Sequence, residues 1–323
     1  MKILVTGGAG YIGSHFVKFM NNGDNEITVI DNLSRGYKQA IPKNVKFFHI
    51  GIEEYDKLIS ILQNNNFDVV VHFAAYAYVG ESVEKPDIYY ENNVIGSYKL
   101  IKAAAVSGIK KFVFSSTCSV YGNPVNIPIS EEQYPIPINP YAKSKLIIES
   151  MLKDFESSHG MNYISLRYFN AAGCDFEGSI GESHNPEPHL IPNVLLASLG
   201  KKKLYIYGND YPTPDGTCIR DYVHVVDLSE AHYKAIKLLN KENKSYIINL
   251  GSGRGYSNLE ILRVSEEIAK TRIPFTFSER RKGDPAILIA DIKKAAELLN
   301  WKPKYNLYDI ITTAYLWLKN PKY

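Results

Sequence analysis

Lys2-Ile3-Leu4-Val5-Thr6-Gly7-Gly8-Ala9-Gly10-Tyr11-Ile12-Gly13 is the stretch that decides the fold. A short β-branched run enters spaced glycines, and an apolar helical pattern follows to about Met20. Glycines at such a turn let backbone N–H groups approach a pyrophosphate, whose charge then lies at a helix N-terminus. The spacing G-x-x-G-x-x-G is one residue wider than the usual dinucleotide fingerprint, so the motif needs support from the rest of the chain.

That support comes from Asp31, which ends a second strand, Glu26–Ile30, and lies 18 residues beyond Gly13. A carboxylate at this position accepts hydrogen bonds from the adenosine ribose hydroxyls. It also repels a 2′-phosphate, so the sequence favours NAD over NADP. Arg35, in the polar loop that follows, is a residue type that binds a 2′-phosphate, so NADP stays an alternative cofactor.

Strand and helix patterns alternate from here to about residue 170. The predicted strands are Val45–Ile50, Asp68–Phe73, Lys111–Ser116 and Tyr163–Phe169, and the predicted helices are Asp56–Gln63 and Ile88–Ser107. Continuous apolar strands indicate a parallel sheet covered on both faces. We therefore predict a Rossmann-like doubly wound α/β fold with a smaller α/β C-terminal substrate-binding domain. The predicted NAD-binding domain is 1–170, to which 221–249 return, and 171–220 with 250–323 form the substrate domain.

Composition excludes some classes of protein. The 323 residues are 45% hydrophobic and 22% charged, with a formal net charge of +3, which does not indicate nucleic acid binding. The longest basic run, Lys201-Lys202-Lys203, is typical of a solvated turn. Cys118, Cys174 and Cys218 lack metal-ligand spacing and indicate reduced thiols, so we expect a cytoplasmic protein without a metal. The apolar run Val69–Ala75 is far short of a membrane span, so we expect no membrane partner either.

Tyr141 and Lys145 are the candidate catalytic pair, because Asn139-Pro140 predicts a helix start that places them on one face. A tyrosine has a pKa of about 10, and lowering it by about 3 units costs about 4 kcal/mol. One cation about 5 Å away supplies roughly 3.3 kcal/mol at an effective dielectric of about 20. Lys145 therefore needs a second positive charge, which an oxidised nicotinamide would provide. Thr117, just past a predicted strand, is expected to share this site.

The chain resembles the extended short-chain dehydrogenase/reductase family nearly end to end and, more closely, its bacterial UDP-glucose (UDP-galactose) 4-epimerases. The motifs that carry the resemblance are Thr6–Gly13, Asp31-Asn32-Leu33, His72-Phe73-Ala74, Val79–Ser82, Asn92-Asn93, Ser115–Gly122, Tyr141–Lys145, Arg167–Asn170, Tyr207–Asp210, Arg220–His224 and Arg281–Asp284. The resemblance implies epimerisation at C4 through a transient 4-keto sugar, with Thr117, Tyr141 and Lys145 as catalytic residues. It also implies a homodimer formed by helices starting near Ile88 and Tyr141.

The family's binding residues can be carried over to matching positions. The residues that the resemblance assigns to NAD are Gly7, Gly10, Tyr11, Ile12, Gly13, Asp31, Asn32, Leu33, Ser34, Arg35, Gly36, Ile52, Phe73, Ala74, Ala75, Asn92, Tyr141, Lys145 and Phe169. Those assigned to the UDP-sugar are Thr117, Asn170, His189, Leu190, Tyr205, Tyr207, Arg220, Tyr222, Arg281 and Asp284. Basic loops at Arg220 and Arg280-Arg281 suit a diphosphate, although as isolated signals they are more typical of surface charge.

Some positions depart from the family pattern, and other activities stay open. Gly51 replaces an Asp expected against adenine, Ala77 replaces a Lys, and His189 replaces an Asn. Leu288 lies where side-chain size limits the sugar, so acceptance of N-acetylhexosamines is open. The alternatives are a UDP-glucuronate epimerase or decarboxylase, a 4,6-dehydratase and a non-catalytic NAD-binding regulator. The dehydratase is disfavoured because Cys118-Ser119 stand where its Asp-Glu pair is expected.

Overall fold

The computed structural model describes residues 1–21, 23–281 and 284–323, so Lys282 and Gly283 of the predicted basic loop lie outside the described residues. The strands are β1 (Lys2–Thr6), β2 (Glu26–Asp31), β3 (Lys46–His49), β4 (Val69–His72), β5 (Lys111–Ser115), β6 (Asn162–Tyr168), β7 (Asn170–Ala172), β8 (Leu204–Tyr207), β9 (Ile219–His224), β10 (Tyr246–Leu250), β11 (Gly255–Ser257), β12 (Phe275–Ser278) and β13 (Ile287–Leu288). The α-helices are α1 (Tyr11–Met20), α2 (Tyr55–Asn65), α3 (Val79–Glu84), α4 (Pro86–Tyr89), α5 (Ser97–Val106), α6 (Pro140–His159), α7 (Leu190–Ser198), α8 (Val225–Lys241), α9 (Asn258–Ala269), α10 (Lys293–Leu299) and α11 (Leu307–Lys319).

A seven-stranded sheet in the order β10-β6-β5-β4-β1-β2-β3 organises the molecule, and all its pairings are parallel. Neighbouring residues of β1 face opposite sides of the sheet. Ile3 and Val5 pack in one apolar cluster with α1 and α8, whereas Leu4 packs in another with α2, α5 and α6. Both faces are therefore buried, which confirms the predicted doubly wound α/β fold.

Two small sheets lie on the C-terminal side of the chain. One has the order β11-β9-β13 with β7 beside β9, and the other pairs β12 with β8. A separate apolar cluster joins α7, α9 and α11. The sequence predicted neither β7, β9, β11 nor β13, because two- to six-residue strands carry too little alternation to be recognised. Because β9 belongs to the small sheet, the chain returns to the large sheet only from α8 onward.

The predicted helix at 88–107 differs from the structure in one respect. The chain is helical from Pro86 to Val106, but Tyr90–Gly96 form a π-helical turn between α4 and α5. Such widened turns are common at functional sites because they re-aim side chains. Here the turn carries Asn92 and Asn93. Within the described ranges, the structure contains no helix both long and apolar enough to span a membrane.

Candidate active site

The glycine turn between β1 and α1 has little room for side chains. Gly7 has a φ of +73°, and a Cβ atom there would lie 2.4 Å from the Ala74 backbone nitrogen. A Cβ on Gly13 would lie 2.2 Å from the Gly7 carbonyl oxygen. Gly10 is the N-cap of α1 and offers no side chain to its first turn. The first turn of a helix leaves backbone N–H groups without intrahelical partners, and such an N-terminus can hold an anion.

Asp31 lies beside this turn and organises the loop after β2. Its carboxylate accepts hydrogen bonds from the backbone N–H groups of Ala9, at 2.9 Å, and Leu33, at 2.8 Å. Burial raises the pKa of Asp31, and these two hydrogen bonds act in the opposite direction. Each carboxylate oxygen has a further lone pair, which a ribose hydroxyl could use.

A cleft opens along the carboxyl ends of β1, β2 and β4. The predicted cofactor residues that line it are Gly7, Gly10, Asp31, Asn32, Ser34, Arg35, Gly36, Ile52, Phe73, Ala74, Ala75 and Asn92. The lining residues that were not predicted for the cofactor are Ile30, Ile50, Gly51 and Tyr76. Ile30 and Ile50 are apolar strand-end positions that sequence patterns do not distinguish from core residues. The cleft lies at the edge where ligands bind in open α/β sheets.

Other predicted cofactor residues lie around this cleft rather than in its wall. The Tyr11 hydroxyl donates to the Gly173 carbonyl at 2.6 Å, Ile12 and Gly13 belong to the first turn of α1, and Leu33 adopts a φ of +58°. Phe169 is buried against Cys118 and Leu288 in a small apolar cluster.

Arg35 is held by neighbours inside the protein. Its guanidinium pairs with the Glu81 carboxylate at 2.7 Å and lies between the rings of Tyr76 and Tyr78, 4.7 and 4.5 Å from their centroids. Glu81 also accepts from the Tyr89 hydroxyl at 2.9 Å. A guanidinium with these partners is already satisfied, so it is a poor candidate for binding a 2′-phosphate.

The predicted helix start at Asn139-Pro140 is confirmed. The Asn139 side chain accepts from the Ala142 backbone N–H at 2.8 Å, and Pro140 is the first residue of α6. Tyr141 and Lys145 are both on the buried face of this helix. The Thr117 hydroxyl, just past β5, acts to lower the pKa of the Tyr141 phenol and therefore lies near it. The three predicted catalytic residues therefore meet at the carboxyl edge of the sheet.

Lys145 is buried and anchored. Its ammonium group donates to the Ser115 carbonyl oxygen at 2.8 Å and lies 4.8 Å above the Phe114 ring centroid. Burial lowers the pKa of Lys145 to about 7, while the Glu149 carboxylate acts to raise it. Glu149 is one helical turn away and pairs with Arg167 through contacts of 3.0 and 2.5 Å. The Ser116 hydroxyl donates to Glu149 at 2.6 Å.

Burial changes the acidity of the Tyr141 phenol. It raises the pKa of Tyr141 well above the ordinary value, and the nearby Thr117 hydroxyl opposes that rise. Burial therefore makes ionisation of the phenol harder than in water. The requirement for a second positive charge, which the sequence already suggested, becomes stronger in the folded chain.

Sequence reasoning assigned no role to Asn93, Ser144, Glu149 or Arg167. The Asn93 carboxamide accepts from the Tyr76 backbone N–H at 2.8 Å and donates to the Ser144 hydroxyl at 3.0 Å. It thereby ties the wall of the cleft to the helix that carries Tyr141. Asn93 and Arg167 do fall within motifs of the family resemblance, which was the available signal. The Glu149–Arg167 pair had no local signal.

The predicted substrate residues come from separate elements. Arg220 in β9 is buried and pairs with Asp284 at 3.0 Å, while the Arg281 guanidinium lies 4.3 Å from the Tyr207 ring centroid. Tyr205 and Tyr207 share one face of β8. These contacts bring the two basic segments together in space.

The remaining substrate positions have different surroundings. Tyr222 is buried in β9 and pairs in register with Asn170, whose side chain donates to the Asp221 carbonyl at 2.8 Å. Leu190 is the first residue of α7. The His189 imidazole faces Glu182 and Glu187 at 2.7 and 2.8 Å. Burial opposes charge on this histidine, but the two carboxylates outweigh it and raise its pKa.

Comparison with known proteins agrees with this geometry. Residues 4–314 match the family model described as GDP-mannose 4,6 dehydratase. The chain is 48% identical to the UDP-glucose 4-epimerase of Halalkalibacterium halodurans, covering 99% of this chain and 96% of that one. It superposes with a TM-score of 0.94 on a crystal structure of UDP-glucose 4-epimerase from Brucella ovis in complex with NAD, at 44% identity and 97% coverage of both chains. A UDP-glucose 4-epimerase from Bifidobacterium longum in complex with NAD⁺ and UDP gives a TM-score of 0.95 at 37% identity and 99% coverage of both.

These similarities extend over nearly the whole of each chain and are too high to reflect a shared fold alone. The chain belongs to the UDP-glucose 4-epimerase family of extended short-chain dehydrogenases/reductases.

Proposed function

We propose that this protein is an NAD-dependent isomerase that interconverts UDP-glucose and UDP-galactose through a transient 4-keto sugar. The observation that carries the proposal is the meeting of Thr117, Tyr141 and Lys145 at the carboxyl edge of the parallel sheet, where the glycine-lined cleft also opens. Membership of a family whose relatives carry this name supports the same activity.

The cleft suits NAD by its shape and its charge. The N-terminus of α1 can hold the pyrophosphate, because a Cβ atom on Gly7 or Gly13 would close the space that the backbone needs. Asp31 can accept from the adenosine ribose, and the Arg35–Glu81 pair supports NAD over NADP. When bound, NAD⁺ supplies reversible hydride acceptance at C4, together with a positive charge near the phenol.

Tyr141 is the proposed acid and base. As phenolate it takes the proton of the sugar 4-hydroxyl, and as phenol it returns that proton to the other epimer. Thr117, whose hydroxyl acts on the Tyr141 pKa, positions the proton between the sugar oxygen and the phenol. Lys145 contributes positive charge from the next turn of α6 and is oriented by the Ser115 carbonyl. Asn93 and Ser144 hold the helix against the cleft wall.

The sugar nucleotide is proposed to bind mainly through its UDP. Arg220 and Arg281 would hold the diphosphate, and Tyr205, Tyr207, Tyr222 and Leu190 would surround the nucleotide. The sugar itself must turn over between the two half-reactions, so few contacts should hold it. Leu288 packs beside Cys118 and Phe169 near this region, which makes it the candidate limit on sugar size.

The matching family model is described as a 4,6 dehydratase, so dehydration is the alternative reaction to consider. Elimination of water needs an acid and a base beside Thr117, and the chain has Cys118-Ser119 there. Burial raises the pKa of Cys118 to about 12, so this thiol cannot transfer a proton readily at neutral pH. Epimerisation without elimination is therefore the better supported reaction.

The homodimer is proposed from an exposed apolar surface on the helices that border the site. Tyr90, Ile95 and Tyr98 on the 90–106 segment and Ile147 on α6 are between 36% and 48% exposed. Large apolar side chains clustered on neighbouring helices indicate a protein interface. Size-exclusion chromatography with light scattering should give a dimer for the native chain and a monomer for Ile95→Glu; a native monomer would contradict this.

We also keep the predicted division into domains. The large sheet draws its strands from 2–168 and 246–250, and the small sheets draw theirs from 170–288. We propose an NAD-binding unit of 1–170 and 221–249 with a substrate unit of 171–220 and 250–323, although residues 221–224, in β9, pair with a small sheet instead. All three cysteines are buried free thiols, which supports a cytoplasmic location.

The decisive experiment uses purified protein without added cofactor. UDP-galactose should be converted to UDP-glucose, and acid denaturation should release NAD. Parallel incubations with UDP-N-acetylgalactosamine and UDP-glucuronate define the sugar range and test the glucuronate alternative. Absence of conversion from protein that contains NAD would refute the proposal and favour a non-catalytic NAD-binding regulator.

A further inference from the structure

Four metal-ligating side chains converge in the segment Glu182-Ser183-His184-Asn185-Pro186-Glu187-Pro188-His189, directly before α7. One ligand atom from each of Glu182, His184, Glu187 and His189 lies within 4.8 Å of every other. We propose that these residues form a binding site for a divalent transition metal of the zinc class.

The contacts within this cluster are close, but hydrogen bonding explains only some of them. His189 Nδ1 lies 2.7 Å from a Glu182 oxygen and 2.8 Å from a Glu187 oxygen. His184 Nδ1 lies 3.1 Å from the same Glu182 oxygen and 3.5 Å from Glu187. A ring nitrogen carries at most one hydrogen, so His189 cannot donate fully to both carboxylates.

His184 gives the stronger indication. Its Nδ1 is buried, and within the described ranges it has no hydrogen-bond partner despite the carboxylate oxygen 3.1 Å away. The nitrogen and the oxygen approach each other without an N–H pointing along the contact. Such geometry is expected when both lone pairs face a common point between them. A cation at that point would satisfy all four groups.

The donor types suit zinc. Ligand atoms about 2.0–2.1 Å from a tetrahedral Zn²⁺ lie about 3.3 Å apart; the four His–Glu contacts here range from 2.7 to 3.5 Å, and one ligand atom from each residue lies within 4.8 Å of the others, so binding needs only a small adjustment. Two neutral imidazoles and two carboxylates balance the charge of a divalent cation. Four protein ligands leave no open position, which is typical of a structural site rather than a catalytic one.

The location indicates what the metal would do. The His184 ring packs edge-on against Tyr78, with 5.4 Å between ring centroids, and Tyr78 stacks on Arg35 beside the cofactor cleft. His189 is the N-cap of α7. A metal here would tie the segment before α7 to the wall of the cleft. This role goes beyond the proposed epimerase activity and does not depend on it.

The test uses the untagged full chain, treated with a chelator and dialysed. Titration calorimetry with Zn²⁺ should show one equivalent bound, and Co²⁺ should give the intense visible absorption of a tetrahedral site. Zinc at 100 times its dissociation constant should also raise the thermal midpoint measurably, because it binds only the folded chain. Lack of stoichiometric binding of both ions to the native chain would overturn the proposal and leave two protonated histidines paired with two carboxylates.

Two variants locate the metal. His184→Gln and Glu182→Gln should each weaken Zn²⁺ binding by more than about 100-fold and abolish the Co²⁺ absorption. The matched controls are His159→Gln and Glu84→Gln, which change exposed side chains elsewhere and should leave both signals intact. Circular dichroism establishes that each variant is folded. Unchanged binding in folded His184→Gln would assign the metal to another site and refute the proposal.

Discussion

The cofactor side and the substrate side of the cleft are built in different ways. On the cofactor side, the glycine turn contributes backbone atoms, its glycines leave space, and the loops after β2, β3 and β4 complete the wall. On the substrate side, charged side chains from distant segments meet, as Arg220 and Asp284 do across 64 residues. We infer that substitutions on the first side act through shape and stability, and those on the second through affinity.

The comparison also explains why Tyr141 belongs to neither side. It lies on the buried face of α6, and the Thr117 hydroxyl just past β5 acts on its pKa. Its proposed contribution is chemical, so removal of its hydroxyl should leave both binding surfaces intact.

The largest effect is therefore expected for Tyr141→Phe. General acid–base catalysis contributes about 10²- to 10⁴-fold, and kcat should fall by that amount while bound NAD and UDP-sugar affinity stay near normal. Steady-state kinetics and the NAD content of the purified variant measure this. Tyr134→Phe, at a tyrosine that is 79% exposed, is the control. Near-normal turnover of Tyr141→Phe would contradict the assigned role.

Arg281→Ala tests the substrate side. A hydrogen bond to a charged group is worth about 1.5–3 kcal/mol, so KM for UDP-galactose should rise about 10- to 100-fold with a smaller change in kcat. The neighbouring Arg280 provides the matched control, because its guanidinium pairs with Asp210 and lies 4.2 Å from the Tyr211 ring centroid. Arg280→Ala should change KM less. Equal effects of the two variants on KM would show that the loop attracts the substrate by its overall positive charge rather than through a specific contact of Arg281.

Gly13→Ala tests the cofactor side. The new methyl group would lie 2.2 Å from the Gly7 carbonyl oxygen, and the turn must shift to avoid it. Overpacking of this kind destabilises by about 1–3 kcal/mol, so the thermal midpoint and the NAD content should both fall. Gly80→Ala is the control, since a Cβ there meets nothing within 4 Å. Full NAD content in Gly13→Ala would argue against a pyrophosphate at this turn.

The smallest effect concerns pH. Burial lowers the pKa of Lys145 to about 7 and Glu149 opposes it, so the ammonium form is lost as pH rises through that value. Glu149→Gln removes the negative charge that raises the Lys145 pKa, so that pKa should fall further. The decrease of kcat/KM at alkaline pH should then begin at a lower pH. Asp154→Asn, on the exposed face of α6, is the control.

The Glu149 result needs a check on folding. Breaking a buried ion pair can cost about 3–5 kcal/mol, because Arg167 would keep its charge without a full partner. The pH profile is therefore measured below the thermal midpoint of the variant. A profile identical to that of the native chain would exclude electrostatic coupling between Glu149 and Lys145.

Much of the fold and the core of the site followed from sequence. The glycine turn with Asp31 predicted the cleft, and Asn139-Pro140 predicted the helix that carries Tyr141 and Lys145. Each of these inferences uses neighbouring residues and the fixed geometry of a strand, a turn or a helix. Local geometry holds in any context, so the pattern alone determined the parallel α/β fold and the face of α6 that Tyr141 and Lys145 share.

Only the tertiary structure decided which distant groups became partners. The Glu149–Arg167 pair, the Asn93–Ser144 bridge and the Arg35–Glu81 pair join segments whose sequences carry no sign of each other. The same is true of the short strands around β9, which are stable only because neighbouring strands complete their hydrogen bonds. Packing therefore set the electrostatics of the site, because charge and burial depend on distances in space rather than along the chain.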